Sequence, residues 1–123
     1  MAVTLRIPTF RDENGKLSVL DGDLPFKVRR VYFIHGVPAE AQRAGHRHLR
    51  NRQVIVCVHG RCDAVVRGGG KERTFPLDDP GKGLLLEPGD WHLLRGFREN
   101  AVLLVLASEA YDPSDYAEEP SVP

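Results

Sequence analysis

Several residue types and patterns are scarce in this sequence, and each shortage excludes a class of protein. The 123 residues include only two cysteines, Cys57 and Cys62, and they form neither a CxxC nor a Cys/His zinc pattern. Lysine and arginine total 17, as do aspartate and glutamate, so no global basic charge indicates nucleic acid or an anionic membrane as a partner. No apolar run approaches the length that spans a bilayer. We therefore predict no nucleic-acid partner and no membrane partner.

The cysteines and the first residues favour a cytoplasmic location. Cys57 lies in an apolar run, where a free thiol behaves as a small buried hydrophobic group. A disulfide with Cys62 is left open by the sequence, although a reduced state is the simpler interpretation. Residues 1–10 have no charged leader followed by an apolar block, so we expect no secretion signal.

The length and the pattern of apolar residues predict one all-β domain. A chain of 123 residues suits a single core. Alternating or continuous apolar runs predict strands over residues 3–7, 17–20, 28–34, 54–58, 62–67, 71–77, 83–87, 91–94 and 101–107. Many short strands separated by turn residues are typical of a closed barrel or a sandwich. We place the domain at 1–117, with a helical segment only near 112–116, and a flexible tail at 118–123.

The most informative stretch is the pair His46 and His48, shortly before the apolar run 54–58. Side chains two apart in an extended segment point to the same face, so both imidazoles project together. Imidazole titrates near neutral pH and is the commonest metal ligand, so the pair indicates proton transfer or metal binding. A solvated basic surface is the alternative, because four arginines surround the pair: Arg43, Arg47, Arg50 and Arg52.

A third histidine is a candidate for the same site. His92 follows Pro88-Gly89-Asp90-Trp91, and together with the His-x-His pair it resembles the cupin pattern, whose barrel mouth holds the ligand. Metal-binding cupins add a glutamate, but that place falls here on Arg52 or Gln53, and a cationic or neutral side chain there weakens a divalent metal site. We predict a site without metal; a metal-dependent cupin oxygenase or isomerase is the alternative.

A closer resemblance extends over nearly the full length. The stretches that carry it are 30–34, 43–48, 53–62, Trp91-His92 and 102–109, with Tyr111-Asp112 and Asp115-Tyr116 behind them. On these residues the chain resembles the sugar nucleotide 3,4-ketoisomerase family, the WxcM-like cupins. The resemblance implies a cupin-type jelly-roll homodimer that converts a dTDP-4-keto-6-deoxyhexose, such as dTDP-4-keto-6-deoxyglucose, to its 3-keto isomer. It also implies that neither a metal nor an organic cofactor takes part.

The resemblance places the family's paired histidines on His46 and His48 and its preceding arginine on Arg43. Moving a ketone from C4 to C3 requires loss of the C3 proton, an enediol and reprotonation at C4, and histidine suits both directions of transfer. We expect His48 to take the proton and His46 to shuttle protons, with the two roles exchangeable. The candidate substrate-binding residues are Arg43, Tyr32, Gln53, Trp91 and His92.

Two of these candidates have a more specific expectation. Tyr32 and Arg43 are the expected donors to the developing enediolate, and binding of the nucleotide diphosphate is the alternative for Arg43, because guanidinium matches phosphate oxygens in pairs. A purely structural role is the alternative for Tyr32, Trp91 and His92, and for Gln53 the alternative is that it only satisfies buried backbone groups.

Four positions depart from the family pattern. Asn14 stands where the family has arginine, Phe33 where it has a second tyrosine, Arg52 where it has glutamate, and Arg47 where it has alanine. These departures leave a non-catalytic carbohydrate- or sugar-nucleotide-binding cupin as the alternative function.

Overall fold

The computed structural model describes residues 1–22 and 24–119. Strands dominate these ranges, and the only helical element described in them is one 3-10 turn at Pro113–Asp115. The strands are β1 Val3–Arg6, β2 Thr9–Asp12, β3 Gly15–Ser18, β4 Arg30–Ile34, β5 Arg43–His48, β6 Gln53–Gly68, β7 Lys71–Leu77, β8 Lys82–Leu86, β9 Trp91–Ala107 and β10 Tyr116–Ala117.

The two long strands β6 and β9 form the centre of the fold. They contain 16 and 17 residues and pair antiparallel with each other along most of their length. The first part of β6 also pairs with β8, and its second part pairs with β7. Strand β1 continues the sheet beside β8, β4 pairs with β9, and β5 lies between β9 and β10. The antiparallel sheet thus folds over itself into a jelly-roll barrel of the cupin type.

The folded sheet encloses one apolar core. Ile55, Leu84, Leu103 and Val105 are at most 2 % exposed and belong to one continuous cluster. A second cluster around Val54, Val56 and Leu85 is covered by Leu5, Leu20, Leu24 and Phe26 from the N-terminal part of the chain. The run 54–57 is apolar at every position because its alternate side chains are buried on opposite faces of the sheet.

The all-β prediction is confirmed, but several predicted boundaries were wrong. The predicted strands 54–58 and 62–67 are two parts of β6, and 91–94 and 101–107 are two parts of β9. Gly60 and Gly96 adopt positive φ, and the register of the β6–β9 pair shifts around Gly60, so these strands bend without ending. Strand β2 was not predicted, because the β2–β3 hairpin is exposed at every position and has no buried periodicity.

The end of the chain is held against the sheet as far as the structure describes it. The carbonyl of Glu118 accepts a hydrogen bond from the Trp91 indole at 2.9 Å, and that of Glu119 accepts one from Arg47 at 2.9 Å. The flexible tail stays a prediction, and its residues 120–123 lie outside the described residues.

In the described part of the chain, no helix is long and apolar enough to cross a bilayer.

Candidate active site

Strand β5 brings the two predicted histidines into the barrel. Ala44 and Gly45 have φ values of 66° and 76°, and the pairing of β5 with β9 shifts register between Ala44 and His46. Beyond this bulge His46 lies directly opposite His92 of β9. On the other side of β5, His48 lies opposite Tyr116 of β10. Three histidines and one tyrosine therefore meet on neighbouring strands.

The ring of His46 is in contact with the other three rings. The centroid of the His46 ring is 5.1 Å from that of His48, 5.1 Å from that of His92 and 4.8 Å from that of Tyr116. The centroids of His48 and Tyr116 are 4.6 Å apart. His48 and His92 are buried, whereas His46 is half-buried. The prediction that both imidazoles of the pair project together is consistent with this arrangement, and His92 lies beside them.

A buried carboxylate fixes the orientation of His48. Asp115 is 3 % exposed, and its Oδ2 lies 3.1 Å from Nδ1 of His48. The same carboxylate accepts hydrogen bonds from the backbone N–H groups of Arg50 at 2.6 Å and Asn51 at 3.2 Å. Because a carboxylate accepts, Nδ1 of His48 carries the proton and Nε2 keeps its lone pair. Nε2 is buried and has no hydrogen-bond partner among the described residues, so its lone pair is free to accept a proton.

His92 is held at both ring nitrogens. Its Nδ1 donates to the carbonyl of Asp90 at 3.2 Å, which leaves Nε2 to accept from the side-chain amide of Gln53 at 3.1 Å. Oε1 of Gln53 in turn accepts from the hydroxyl of Tyr32 at 3.3 Å. This chain of hydrogen bonds fixes the tautomer of His92 and links three of the predicted binding residues.

Burial keeps the imidazoles neutral. It lowers the pKa of His46 to about 4, with the neighbouring His48 adding to the effect. It lowers the pKa of His92 to about 3. Burial also lowers the pKa of His48, but the hydrogen bond and the charge of Asp115 oppose this. Of the two histidines in the pair, His48 is therefore the one whose protonated ring would be in contact with an opposite charge, the carboxylate of Asp115.

The histidine cluster invites comparison with a cupin metal centre. One ligand nitrogen from each of His46, His48 and His92 lies within 4.8 Å of the others. However, the only lone pair of the His92 ring already accepts a hydrogen bond from Gln53, and Gln53 occupies a position predicted for the acidic ligand. Arg52, the other candidate for that position, pairs with Glu87 at 2.9 Å. These residues fit a divalent metal poorly, and the absence of a metal stays a prediction.

Arg43 and Trp91, two of the predicted substrate-binding residues, lie in different surroundings. Arg43 is exposed at the start of β5, and its charge acts on Tyr32. Trp91 precedes His92 on β9, so its side chain points to the opposite face. There its indole donates to Glu118, and the guanidinium of Arg67 lies 4.7 Å from the ring centroid. The structure does not bring Trp91 together with the histidines, and its role in binding stays a prediction.

Sequence reasoning missed two residues of this site, Asp115 and Tyr116. Both were noted only as part of the family resemblance, in a segment predicted to be helical. The 3-10 turn begins after Asp112, whose carboxylate accepts from the backbone of Ser114 and pairs with Arg50. This turn directs Asp115 towards His48 and leads into β10, which carries Tyr116. An aspartate two residues after a proline in a short turn gives no local signal of a contact so distant in sequence.

Comparisons with known proteins agree with this geometry. The family described as FdtA, WxcM-like, C-terminal, matches residues 2–122. A TDP-4-oxo-6-deoxy-alpha-D-glucose-3,4-oxoisomerase of Aneurinibacillus thermoaerophilus is 36% identical over 107 residues, which are 85% of this chain and 77% of that protein.

Solved structures of similar proteins have the same fold. QdtA, a sugar 3,4-ketoisomerase of Thermoanaerobacterium thermosaccharolyticum solved with TDP, superposes with a TM-score of 0.92 at 34% identity, covering 96% of this chain and 88% of that one. A histidine-to-asparagine variant of QdtA was solved with TDP-4-keto-6-deoxyglucose. WlaRB, a TDP-quinovose 3,4-ketoisomerase of Campylobacter jejuni, gives a TM-score of 0.91 at 31% identity, covering 96% and 92%.

Proposed function

The chain belongs to the FdtA family of WxcM-like, C-terminal domains, and from this premise we propose that it is a sugar nucleotide 3,4-ketoisomerase. Its substrate is a nucleotide-linked keto sugar of the type bound by the QdtA variant, TDP-4-keto-6-deoxyglucose. The observation that carries the proposal is the His48–Asp115 pair, which leaves Nε2 of His48 without a partner beside His46.

The reaction moves two hydrogens and leaves the composition of the sugar unchanged. Nε2 of His48 takes the proton from C3, and the electron pair of that bond forms the C3–C4 double bond of an enediolate. A proton then leaves the C3 hydroxyl, one is added to the C4 oxygen, and one is added to C4. His46, in ring contact with His48, shuttles protons among these atoms. Neutral imidazoles with pKa values below the usual value are able to accept a proton and return it.

Charge separates as His48 takes the proton, and each charge has a partner. Asp115 lies in hydrogen-bond contact with the imidazolium that forms. Tyr32 and Arg43 are the proposed donors to the enediolate, and His92 and Gln53 hold Tyr32 through their hydrogen bonds. His92 stays neutral at working pH and acts in binding, because both of its nitrogens are engaged and burial lowers its pKa to about 3.

We propose that the reaction uses neither a metal nor an organic cofactor. The support is the engagement of the His92 lone pair by Gln53, and the presence of Arg52 and Gln53 at the positions where the glutamate ligand of metal-binding cupins is expected. Elemental analysis of the purified protein together with activity after chelation tests this. Near one metal per chain with activity lost to the chelator would overturn it.

Two further expectations remain proposals about the whole protein. A homodimer is implied by the family resemblance, and the exposed apolar side chains of Val31 and Phe33 on the outer face of β4, 52% and 63% exposed, offer a surface for a second copy. A cytoplasmic location is supported by Cys57 and Cys62, which are buried free thiols.

Incubation with TDP-4-keto-6-deoxyglucose in D2O tests the function. We expect deuterium to enter the sugar ring while a new 3-keto signal appears in the NMR spectrum, because the proton removed exchanges with solvent on the histidines. Saturable binding of an unchanged substrate would instead indicate a non-catalytic binding protein.

A further inference from the structure

Arg30 is a charged residue next to the site that the proposed chemistry has not used. We propose that Arg30 supplies positive charge that stabilises the enediolate intermediate, from a place inside the barrel mouth beside Tyr32. This inference rests on the proposed isomerase function and adds a residue to it.

The alternation of β4 places Arg30 on the inner face. Arg30, Tyr32 and Ile34 are half-buried, whereas Val31 and Phe33 between them are exposed. Tyr32 and Ile34 pack against the main core, so the face that carries Arg30 is the one turned towards the barrel interior. Arg30 is therefore at the end of this inward row, beside Tyr32.

Two aromatic rings hold the guanidinium of Arg30. Its Cζ lies 4.3 Å from the ring centroid of Tyr32 and 5.4 Å from that of Tyr111. The ring centroid of Tyr111 lies 6.1 Å from that of Tyr116, and the Tyr116 ring contacts both His46 and His48. Stacking of this kind fixes a planar cation without neutralising it.

No carboxylate compensates this charge within the described residues. Arg50, Arg52, Arg61 and Arg67 each form an ion pair with an aspartate or a glutamate. Arg30 forms none there, although it is less exposed than most of the arginines on the surface. A half-buried and uncompensated cation beside a proton-transfer site favours an anion at that place.

The reaction supplies such an anion. When His48 takes the C3 proton, the negative charge of Asp115 offsets the imidazolium, and the enediolate is left as the second, opposite charge. Arg30 acts electrostatically on both Tyr32 and His48, so its field reaches the space between the proposed donor and the proposed base. Asp115 and Arg30 thus match the two charges that develop together.

The diphosphate of the substrate is the other anion that Arg30 could bind. The effect of a substitution on kcat, compared with its effect on the affinity for TDP, separates these two roles. For R30Q we expect kcat to fall about 10²-fold, as for loss of one oxyanion-stabilising group, with the deuterium exchange at C3 slowed equally. The affinity for TDP, which lacks the keto sugar, should stay within about twofold. R30K keeps the charge and should retain kcat within about tenfold of the wild type.

Arg29→Gln is the matched control, because Arg29 is the exposed neighbour of Arg30 and its removal changes the net charge equally. A tenfold loss of TDP affinity with unchanged kcat would assign Arg30 to the diphosphate and overturn the inference. Equal losses in R30K and R30Q, or wild-type kcat in R30Q, would also overturn it. If circular dichroism shows that R30Q does not fold, R30K alone tests the inference: a kcat within about tenfold of the wild type supports it, and a larger loss overturns it. A wild-type protein without turnover would refute the isomerase function itself, and Arg30 with it.

Discussion

At the scale of single residues, His48 and His46 have the same side chain in different surroundings. Asp115 holds Nδ1 of His48, and in the described part of the chain Nε2 of that ring has no partner. His46 has ring contacts on three sides, and among the described residues no carboxylate acts on it. This difference favours His48 as the group that holds the proton during the reaction, because its cation is the one that a neighbouring charge stabilises.

The first prediction concerns His48→Asn. The asparagine amide is able to donate to Asp115, so the variant should fold with nearly the melting temperature of the wild type, while turnover falls by about 10²- to 10⁴-fold through loss of the base. Product formation followed by NMR measures the effect. His59→Asn, at an exposed histidine of β6, is the control and should keep full activity. An unchanged rate in His48→Asn would refute the assigned base.

The second prediction concerns Asp115→Asn. An amide that donates to Nδ1 reverses the tautomer of His48 and puts the proton on Nε2, so we expect kcat to fall about 10²-fold. The unfolding free energy should also fall, because Asp115 accepts two backbone hydrogen bonds. Asp112→Asn, in the same turn, is the control. If Asp115→Asn lost only stability and kept its kcat, the carboxylate would be a structural group alone.

The third prediction is a loss of stability on acidification. The pKa of His46 is lowered from 6.5 to about 4 in the folded protein, and that of His92 to about 3. The unfolded chain therefore takes up these protons first as the pH falls below 6.5, and the folded state loses stability from that pH down to about 4 through His46 and down to about 3 through His92. Urea unfolding at pH 7 and pH 5 measures it. A lower denaturation midpoint at pH 7 than at pH 5 would contradict the neutral, buried state of both rings.

At the scale of elements, the site depends on strands that change direction at defined residues. The bulge at Ala44 and Gly45 sets His46 opposite His92. The bend of β6 at Gly60 lies against the carbonyls of β9 and joins the two parts of the folded sheet. A Cβ at Gly60, which has a φ of +67°, would lie 2.6 Å from the carbonyl oxygen of Glu99 and 2.7 Å from that of Arg98.

The fourth prediction follows from this contact. Gly60→Ala should lower the unfolding free energy by about 3 kcal/mol, the sum of left-handed backbone strain and a clash with backbone atoms. Gly69→Ala is the matched control, because Gly69 also has positive φ, +58°, but a Cβ there has nothing within 4 Å, so only about 1 kcal/mol is expected. Equal losses in the two variants, measured by urea unfolding, would show that the backbone around Gly60 moves to remove the clash without a further loss of unfolding free energy.

At the scale of the whole molecule, the apolar surface left on the outer face of β4 bears on the proposed homodimer. Phe33 and Val31 are large exposed apolar side chains on one strand, and Val28 and Val58 are exposed as well. Large exposed apolar side chains that share one face of a strand are typical of a protein interface.

The fifth prediction is that Phe33→Glu converts the proposed dimer to a monomer. A buried, unpaired carboxylate at an interface is strongly unfavourable, so sedimentation equilibrium should give twice the chain mass for the wild type and the chain mass for the variant. Phe33→Tyr keeps the ring, restores the residue of the family pattern and should remain dimeric. A Phe33→Glu protein of unchanged mass would exclude this face from the interface.

The sequence by itself determined the fold class and the central pair. Period-two alternation places His46 and His48 on one face of a strand whatever the rest of the chain does, and the many short apolar runs with turns between them require a sheet. Local patterning did not determine which face of β9 is inside, so Trp91 and His92 were both predicted as binding residues although adjacent side chains point in opposite directions.

Only the tertiary structure decided what surrounds the histidines. Asp115 reaches His48 across 67 positions of the chain, and Tyr116 reaches it through a two-residue strand whose pairing with β5 has no local signature. Gln53 joins His92 across 39 positions. Contacts of this range follow from how a whole sheet folds over itself, whereas periodicity records only which neighbours along one strand share a face.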